Sequence, residues 1–268
     1  MSVVETVVFE DVEGIRVGRF KGKINTTCWF YRIGRTLIDT GPPNQWKWVK
    51  NFIEERQIER VVITHHHEDH SGNGARIVEE FKIPIYAPPS SIPYLQNGYK
   101  VHLYRQVVWG RPLNFKALPT TVPLEVGEGM SIQLIPTPGH SEDMHCLLIP
   151  ERQWLFTGDL FISESPQYAR VDENPLQEME SIRNILEHNF RILFCGHRGV
   201  VENGYQALAA KLNYLQQLQI KAEFLYQNGH SLNEITYKLL GKERGLSLIT
   251  GFHFTKKNLI KKLLEAES

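Results

Sequence analysis

Residues 61–72 read VVITHHHEDHSG, an apolar strand that runs straight into four histidines and two acids within the six positions His65 to His70. A fold that accepts this run must gather polar partners at the end of one strand, because imidazoles and carboxylates buried without partners are costly. Both groups are also ligands that suit Zn, Fe or Mn. In extended chain the side chains of His65 and His67 point the same way and can grip one ion, while His66 points elsewhere. Asp69 and His70 lie one step further on, within reach of a second ion or of a water bound to it. The helical zinc-protease pattern HExxH does not fit, since His67-Glu68-Asp69-His70 is one residue short.

Three later segments repeat the theme of a ligand beside a glycine at a strand end. PTPGHS at 136–141 sets His140 directly after a rigid Pro-Gly turn. LFTGDL at 155–160 ends a strand at Asp159, and LFCGHRG at 193–199 ends another at His197. Any one of these residues alone reads as a structural histidine or a turn former. Together with His65 to His70 they describe distant ligands collected along one edge of a sheet.

Short β-rich runs open the chain, and the Gly-bearing turn between Tyr31 and Thr36 predicts a hairpin. Apolar Trp46, Val49, Phe52 and Ile53 predict a helix over 46–56. Strands are expected at 61–64, 83–87, 131–135, 144–149, 154–157 and 191–195, with helices at 75–81 and 176–188. Beyond Gly204 the pattern turns helical: Tyr205, Leu208, Leu212, Leu215, Leu218, Ala222 and Leu225 mark one face of a long helix. Ser231 and Glu234 form a capping-box pattern for a second, and a third starts after Thr255. The expected division is a mixed body over 1–205 and a helical extension over 206–268.

The 268 residues carry 30 Lys plus Arg against 30 Asp plus Glu, which argues against a surface built wholly for nucleic acid. From Lys211 onward nine basic residues face five acidic ones, so the extension alone is basic. Cys28, Cys146 and Cys195 are odd in number and far apart, which suggests neither a disulfide framework nor a thiolate zinc site and predicts buried thiols. The lack of a long apolar run and the acidic N-terminal stretch give the expectation of a cytoplasmic protein with no membrane partner.

In order and approximate spacing, THHHEDH, PGHS, TGD and CGH, preceded by LIDTG at Leu37 to Gly41, resemble the metallo-β-lactamase-fold hydrolases over roughly residues 10 to 205. The resemblance implies an α+β fold, a four-layer αββα sandwich with a dinuclear metal site at one edge of the two sheets. It implies that His65, His67 and His140 hold one metal and Asp69, His70 and His197 the other, with Asp159 bridging and Asp39 orienting the first histidine loop from behind. The implied cofactors are two divalent ions, Zn before Mn or Fe. The C-terminal extension is similar to the small helical, winged-helix-like end of the β-lactamase-like endoribonuclease and glyoxalase-II-like branches.

Two cations sharing a water lower its pKa from about 15.7 toward neutrality, which gives a hydroxide nucleophile. Asp69 is the candidate catalytic residue, orienting that nucleophile or passing its proton on. The expected activity is hydrolysis of a small ester, thioester or lactone. The alternative is cleavage of single-stranded RNA, with Lys256, Lys257, Lys261 and Lys262 meeting phosphates. His66, His102, His145, His188, His230 and His253 are assigned to structure or to support behind the ligands, not to direct ligation.

Overall fold

Alternation along the strands sets the layers of this chain. The computed structural model describes residues 3–20, 24–120, 123–127, 129–243 and 245–265; Arg244 and Glu267, counted in the charge of the extension, lie outside them. Strands β1 (Val3–Phe9), β2 (Val12–Gly18), β3 (Thr27–Ile33), β4 (Thr36–Ile38), β5 (Arg60–Val62), β6 (Ile85–Ala87) and β7 (Leu118–Pro119) form a seven-stranded sheet in sequence order. It is antiparallel from β1 to β4 and parallel from β4 to β7. The hairpin expected between Tyr31 and Thr36 is present, turning on Gly34 at φ +54°. Strands β8 (Leu124–Gly127), β9 (Met130–Pro136), β10 (His145–Ile149) and β11 (Trp154–Gly158) start the second sheet. The short β12 (Ala169–Arg170) stands apart, and β13 (Ile192–Cys195) and β14 (Gly199–Val201) complete the second sheet in the order β14-β13-β11-β10-β9-β8. Only β11 and β13 run parallel within it.

Successive residues of a strand face opposite sides, so each strand serves two cores. On β3 and β5, Phe30 and Val61 face outward and Tyr31 and Val62 inward. On β10, β11 and β13 the inward set is Leu147, Phe156 and Phe194 and the outward set Leu148, Leu155 and Leu193. The inward residues of both sheets meet in one apolar layer, where Phe156 and Phe194 stack at 4.5 Å and Tyr31 lies edge-on to both. Ten helices cover the faces and the end of the sandwich among the described residues: α1 (Trp46–Arg56), α2 (Glu68–Ser71), α3 (Gly74–Phe81), α4 (Ile92–Asn97), α5 (Leu103–Trp109), α6 (Pro175–Leu186), α7 (Gly204–Gln227), α8 (Leu232–Leu240), α9 (Gly245–Ile249) and α10 (Lys256–Leu264). Val49, Phe52 and Ile53 of α1 and Ile77 of α3 cover the first sheet, while Ile182 and Ile185 of α6 and Ala207 and Leu208 of α7 cover the second. The result is the four-layer αββα arrangement.

The extension has a core of its own that reaches back into the body. Leu215, Leu218 and Ala222 of α7, Ile235 and Leu240 of α8 and Leu259, Ile260 and Leu263 of α10 bury together with Ala169 and Met179. Ser231 and Glu234 make the expected capping box. Strand β15 (Phe254–Thr255) pairs antiparallel with β12, Ala169 opposite Thr255 and Arg170 opposite Phe254. Two expectations fail locally. Tyr205, placed on the same face of α7 as Leu208, is 40% exposed, whereas Leu208, Leu215, Leu218 and Ala222 of that face are buried. Lys256 is buried, and its ammonium donates to the carbonyls of Leu240 and Lys242, so it has no reach toward a phosphate. No helix among the described residues is long and apolar enough to cross a membrane.

Candidate metal centre

Every singled-out ligand sits just beyond the C-terminal end of a strand. Asp39 follows β4, His65 to His70 follow β5, His140 follows β9, Asp159 follows β11 and His197 follows β13. Extended chain carries His65 and His67 to one side as expected, but the expectation ends there. His67 caps the single turn α2, which curls Asp69 and His70 back over the strand end. Glycine is required where the loops converge: a Cβ on Gly196 would lie 2.6 Å from His70 Cε1 and 3.2 Å from Asp159 Oδ1.

The seven residues assemble into two buried groups, one of His65, His67 and His140 and the other of Asp69, His70, Asp159 and His197. His67 Nδ1 lies 2.9 Å from His65 Nε2 and 3.2 Å from His140 Nε2. In the second group His70 Nε2 is 3.1 Å from Asp159 Oδ1, and His197 Nε2 is 3.4 Å from Asp69 Oδ2. Asp159 joins the groups, its Oδ2 3.1 Å from His140 Nε2 and 3.3 Å from His197 Nε2. Asp69 Oδ1, His70 Nε2 and Asp159 Oδ1 are buried without hydrogen-bond partners. Orphaned donors and acceptors of this kind call for an ion or ligand to satisfy them. Imidazole and carboxylate are the donor set that Zn, Fe and Mn accept, so the residues present fit a metal.

The charges in the site fall into a pattern. Burial pushes His65 and His67 well below the usual imidazole range, assisted at His67 by Arg105 and Arg170, so their ring lone pairs are free to donate. At Asp69 burial works to raise the carboxyl, but the His70 charge and the bond to His197 outweigh it and hold the group ionised. Asp159 is held low in the same way by His197, His70 and His140 against burial.

A ring of supporting residues fixes the ligands. Asp39 accepts from the Thr64 amide at 2.8 Å and from the Thr64 hydroxyl, and its Oδ2 lies 2.7 Å from His70 Nδ1. It does so at φ +60°, a left-handed conformation that non-glycine residues hold at a cost, typically at functional sites. Asp143 accepts from the His66 amide at 2.8 Å and from Ser91 and Ser141, and lies 2.7 Å from His66 Nδ1; this is why His66 points away from the ligands. Glu173 Oε1 stands 3.0 Å from His140 Nδ1. Arg105 on α5 donates to the fully buried Glu68 at 2.6 Å, with its Nη2 3.6 Å from Asp69 Oδ1, and Trp109 on the same helix packs 6.0 Å from the His197 ring. Sequence reasoning found Asp39 and missed Asp143, Glu173, Arg105 and Arg170. Asp143 alone left a trace, three residues past His140. His102 and His253, assigned to structure or support, lie against each other with ring centroids 3.7 Å apart and planes tilted by 34°, where the extension meets the start of α5.

Residues 23–209 match the metallo-beta-lactamase superfamily. The chain is 27% identical over 197 residues to a β-lactamase-like protein 2 homolog of Drosophila melanogaster, covering 68% of this chain and 61% of that protein. It is 25% identical over 205 residues to an atrochrysone carboxyl ACP thioesterase of Aspergillus fumigatus, covering 72% of this chain and 56% of that one. The match thus spans little more than half the length of these relatives. A metallo-β-lactamase family protein of Thermus thermophilus shares the fold, with TM-score 0.70 at 15% identity over 96% of this chain and 94% of that one.

Proposed function

The chain belongs to the metallo-β-lactamase superfamily, and on that premise we propose that it is a metal-dependent hydrolase of a small ester, thioester or lactone. The observation that carries this reading is the pair of buried donor groups joined at Asp159, with three atoms of the second group, Asp69 Oδ1, His70 Nε2 and Asp159 Oδ1, left without hydrogen-bond partners. His65, His67 and His140 would hold one divalent ion and Asp69, His70 and His197 a second, with Asp159 shared; Zn suits the set first, Mn or Fe next. Two ions so held supply a water acidified from about 15.7 to about 7 and a Lewis acid for the carbonyl oxygen. Support for the thioester among the three substrates comes from the likeness to the fungal acyl-carrier-protein thioesterase.

The chain's own residues do the rest. Asp69, kept ionised, is suited to ligate an ion or to orient a nucleophile by accepting its hydrogen bond, not to give up a proton, and Arg105 Nη2 stands 3.6 Å from its Oδ1. Asp39 fixes His70 so that Nε2 faces the centre, and Glu173 does the same for His140. Trp109, itself buried, packs beside the buried His197 ring. The RNA alternative draws little from the extension, where Lys256 is spent on carbonyls and Lys261 and Lys262 lie 3.6 and 3.2 Å from Glu265.

The test is elemental analysis of protein purified without added metal, beside the double variant His65→Ala, His67→Ala, with thioesters, lactones and single-stranded RNA assayed in parallel. About two equivalents in the wild type, a marked loss in the variant and turnover of an acyl substrate are expected. No metal in the wild type after reconstitution, or cleavage of RNA alone, overturns the reading.

A further inference from the structure

Two cavities outside the donor groups differ in how their charges are spent. One, of about 600 Å³, lies at the starts of β4, β5 and β9, and its cations are taken: Arg32 by Glu13 at 3.0 Å, Arg35 by Glu59, and Arg60 by the Glu125 carbonyl at 2.8 Å. The other, of about 410 Å³, lies between α4, α5 and the segment 111–115. Lys100 and Arg111 line it, no acidic residue does, and neither cation has a hydrogen bond or ion pair among the described residues. Leu95, Val101 and Phe115 add an apolar lining. A hollow of this size, with unanswered cations beside apolar side chains, has the make-up of a small-molecule site.

One wall of this cavity belongs to the loop that carries the ligands. Ser71 lines it directly, and its hydroxyl donates to the His66 carbonyl at 2.6 Å. Tyr99, also lining, donates to the same carbonyl at 3.1 Å and lies 3.3 Å from Glu68 Oε2. Tyr94 stacks on the His66 ring, with centroids 4.2 Å apart and planes at 18°. The carboxylates that touch these tyrosines, Glu68 and Glu142, do not line the cavity, and Glu68 already accepts from Arg105 at 2.6 Å. Three side chains, none of them a candidate ligand, thus connect an occupant of the cavity to the loop 66–71.

We infer that this cavity is an effector site for a small organic phosphate with an apolar or aromatic body, whose binding steadies the ligand loop from behind. Two cations answer a doubly charged head, the guanidinium as a fork and the ammonium as a point charge. Leu95, Val101 and Phe115 answer the body. Only the consequence for an ion held by the loop rests on the hydrolase reading above; the site and its grip on residues 66–71 do not.

The experiment uses phenylphosphonate, which has no ester bond to cleave, beside benzenesulfonate, which carries one charge fewer. Binding is measured by calorimetry, and amide exchange over residues 66–71 is followed with and without the phosphonate. The proteins are the metal-loaded wild type, the double variant Lys100→Gln, Arg111→Gln, the double variant His65→Ala, His67→Ala, and Arg35→Gln, which removes a charge from the first cavity. Lys100 and Arg111 are exposed, so their replacement leaves the core intact. The wild type binds phenylphosphonate at least about 10-fold more tightly than benzenesulfonate. The Lys100, Arg111 variant loses at least about 10-fold on the phosphonate, while the histidine variant and Arg35→Gln keep the wild-type affinity. Binding slows exchange over 66–71 by about fivefold or more, except in the Lys100, Arg111 variant. No binding to the wild type, or an affinity that survives loss of both cations, overturns the inference. So does an affinity lost with His65 and His67, which places the phosphonate on the metal, and so does binding that leaves exchange over 66–71 unaltered. A protein that holds no metal yet shows both effects defeats the hydrolase reading and leaves this one standing.

Discussion

Substitution of Asp39 by Asn isolates what the carboxylate behind the ligands contributes. Asparagine has the same shape and is one of the few residues that accept the left-handed backbone held here at φ +60°. What changes is the number of acceptors. Asp39 Oδ1 accepts from the Thr64 amide at 2.8 Å, while Oδ2 faces His70 Nδ1 at 2.7 Å. An amide offers one oxygen, so either the Thr64 amide or the His70 ring loses its partner. If the NH2 faces His70, the ring must accept at Nδ1 and carry its proton on Nε2, the atom it needs for an ion. One charged hydrogen bond lost is about 1.5–3 kcal/mol. A lost partner behind a metal ligand typically costs 10- to 100-fold in affinity, about 1.4–2.7 kcal/mol, which is the same magnitude reached independently. Competition against a chromophoric chelator should therefore show one metal equivalent weakened by about 10- to 100-fold in Asp39→Asn and the equivalent on His65, His67 and His140 little changed. Wild-type affinity for both equivalents in a folded Asp39→Asn protein would refute the role assigned to Asp39.

Three other perturbations follow from the packing. Lys211 donates from a buried position to the Leu160 carbonyl at 2.6 Å and to Glu178 at 2.7 Å; Lys211→Met strands Glu178 and should cost about 3 kcal/mol in urea unfolding, whereas a loss below about 0.5 kcal/mol would mean the pair contributes nothing net. Glu13, bonded to Arg56 and Arg32, has its carboxyl held below the usual 4.5, chiefly by the Arg56 bond with burial opposing. A depressed folded pKa contributes stability above 4.5 that fades as pH falls through the folded value, so Glu13→Gln should cost about 1–2 kcal/mol at pH 7 and steadily less as the pH is lowered below 4.5; a cost that does not fall with pH would contradict the ion-pair account. Burial raises all three thiols, Cys146 to about 12; native protein should resist a disulfide reagent that titrates three thiols in urea, and rapid labelling of the native state would count against this packing.

The candidate ligands were legible because each is announced locally, by a strand end followed by a histidine or acid, with a glycine beside His140, Asp159 and His197. The layers were not legible from alternation, since strands such as the one carrying Leu147 and Leu148 or Leu155 and Phe156 bury apolar residues on both faces, and the four-layer arrangement was expected only through the resemblance that the motifs carry. The supports were not, because each is a contact between residues far apart in the chain: Asp143 meets His66 across 77 positions, Arg105 meets Glu68 across 37 and Arg170 meets His140 across 30. Helix α5 was hidden for the same reason. Its seven residues bury only Arg105 and Trp109, too few to mark a periodic apolar face, and the Arg19 and Asn44 side chains hold its Val107 and Val108 carbonyls. The turn α2 went unread because its four residues are all ligands or their neighbours, with no apolar spacing to mark a helix.

Each large sheet is made from one contiguous stretch of chain, β1 to β7 before residue 120 and β8 to β14 after it. The donor groups ignore that division. His65, His67, Asp69 and His70 come from the first stretch, and His140, Asp159 and His197 from the second, so each group draws on both. Neither stretch could complete either group if it folded alone. Whatever affinity the centre has for a cation is then also an adhesion between the two sheets, added to the apolar layer of Tyr31, Phe156 and Phe194 that already joins them. Chelation should loosen the sandwich along the edge where the ligands meet while the opposite edge stays shut, so amide exchange at the ends of β5 and β11 should quicken before that of β1 or β8.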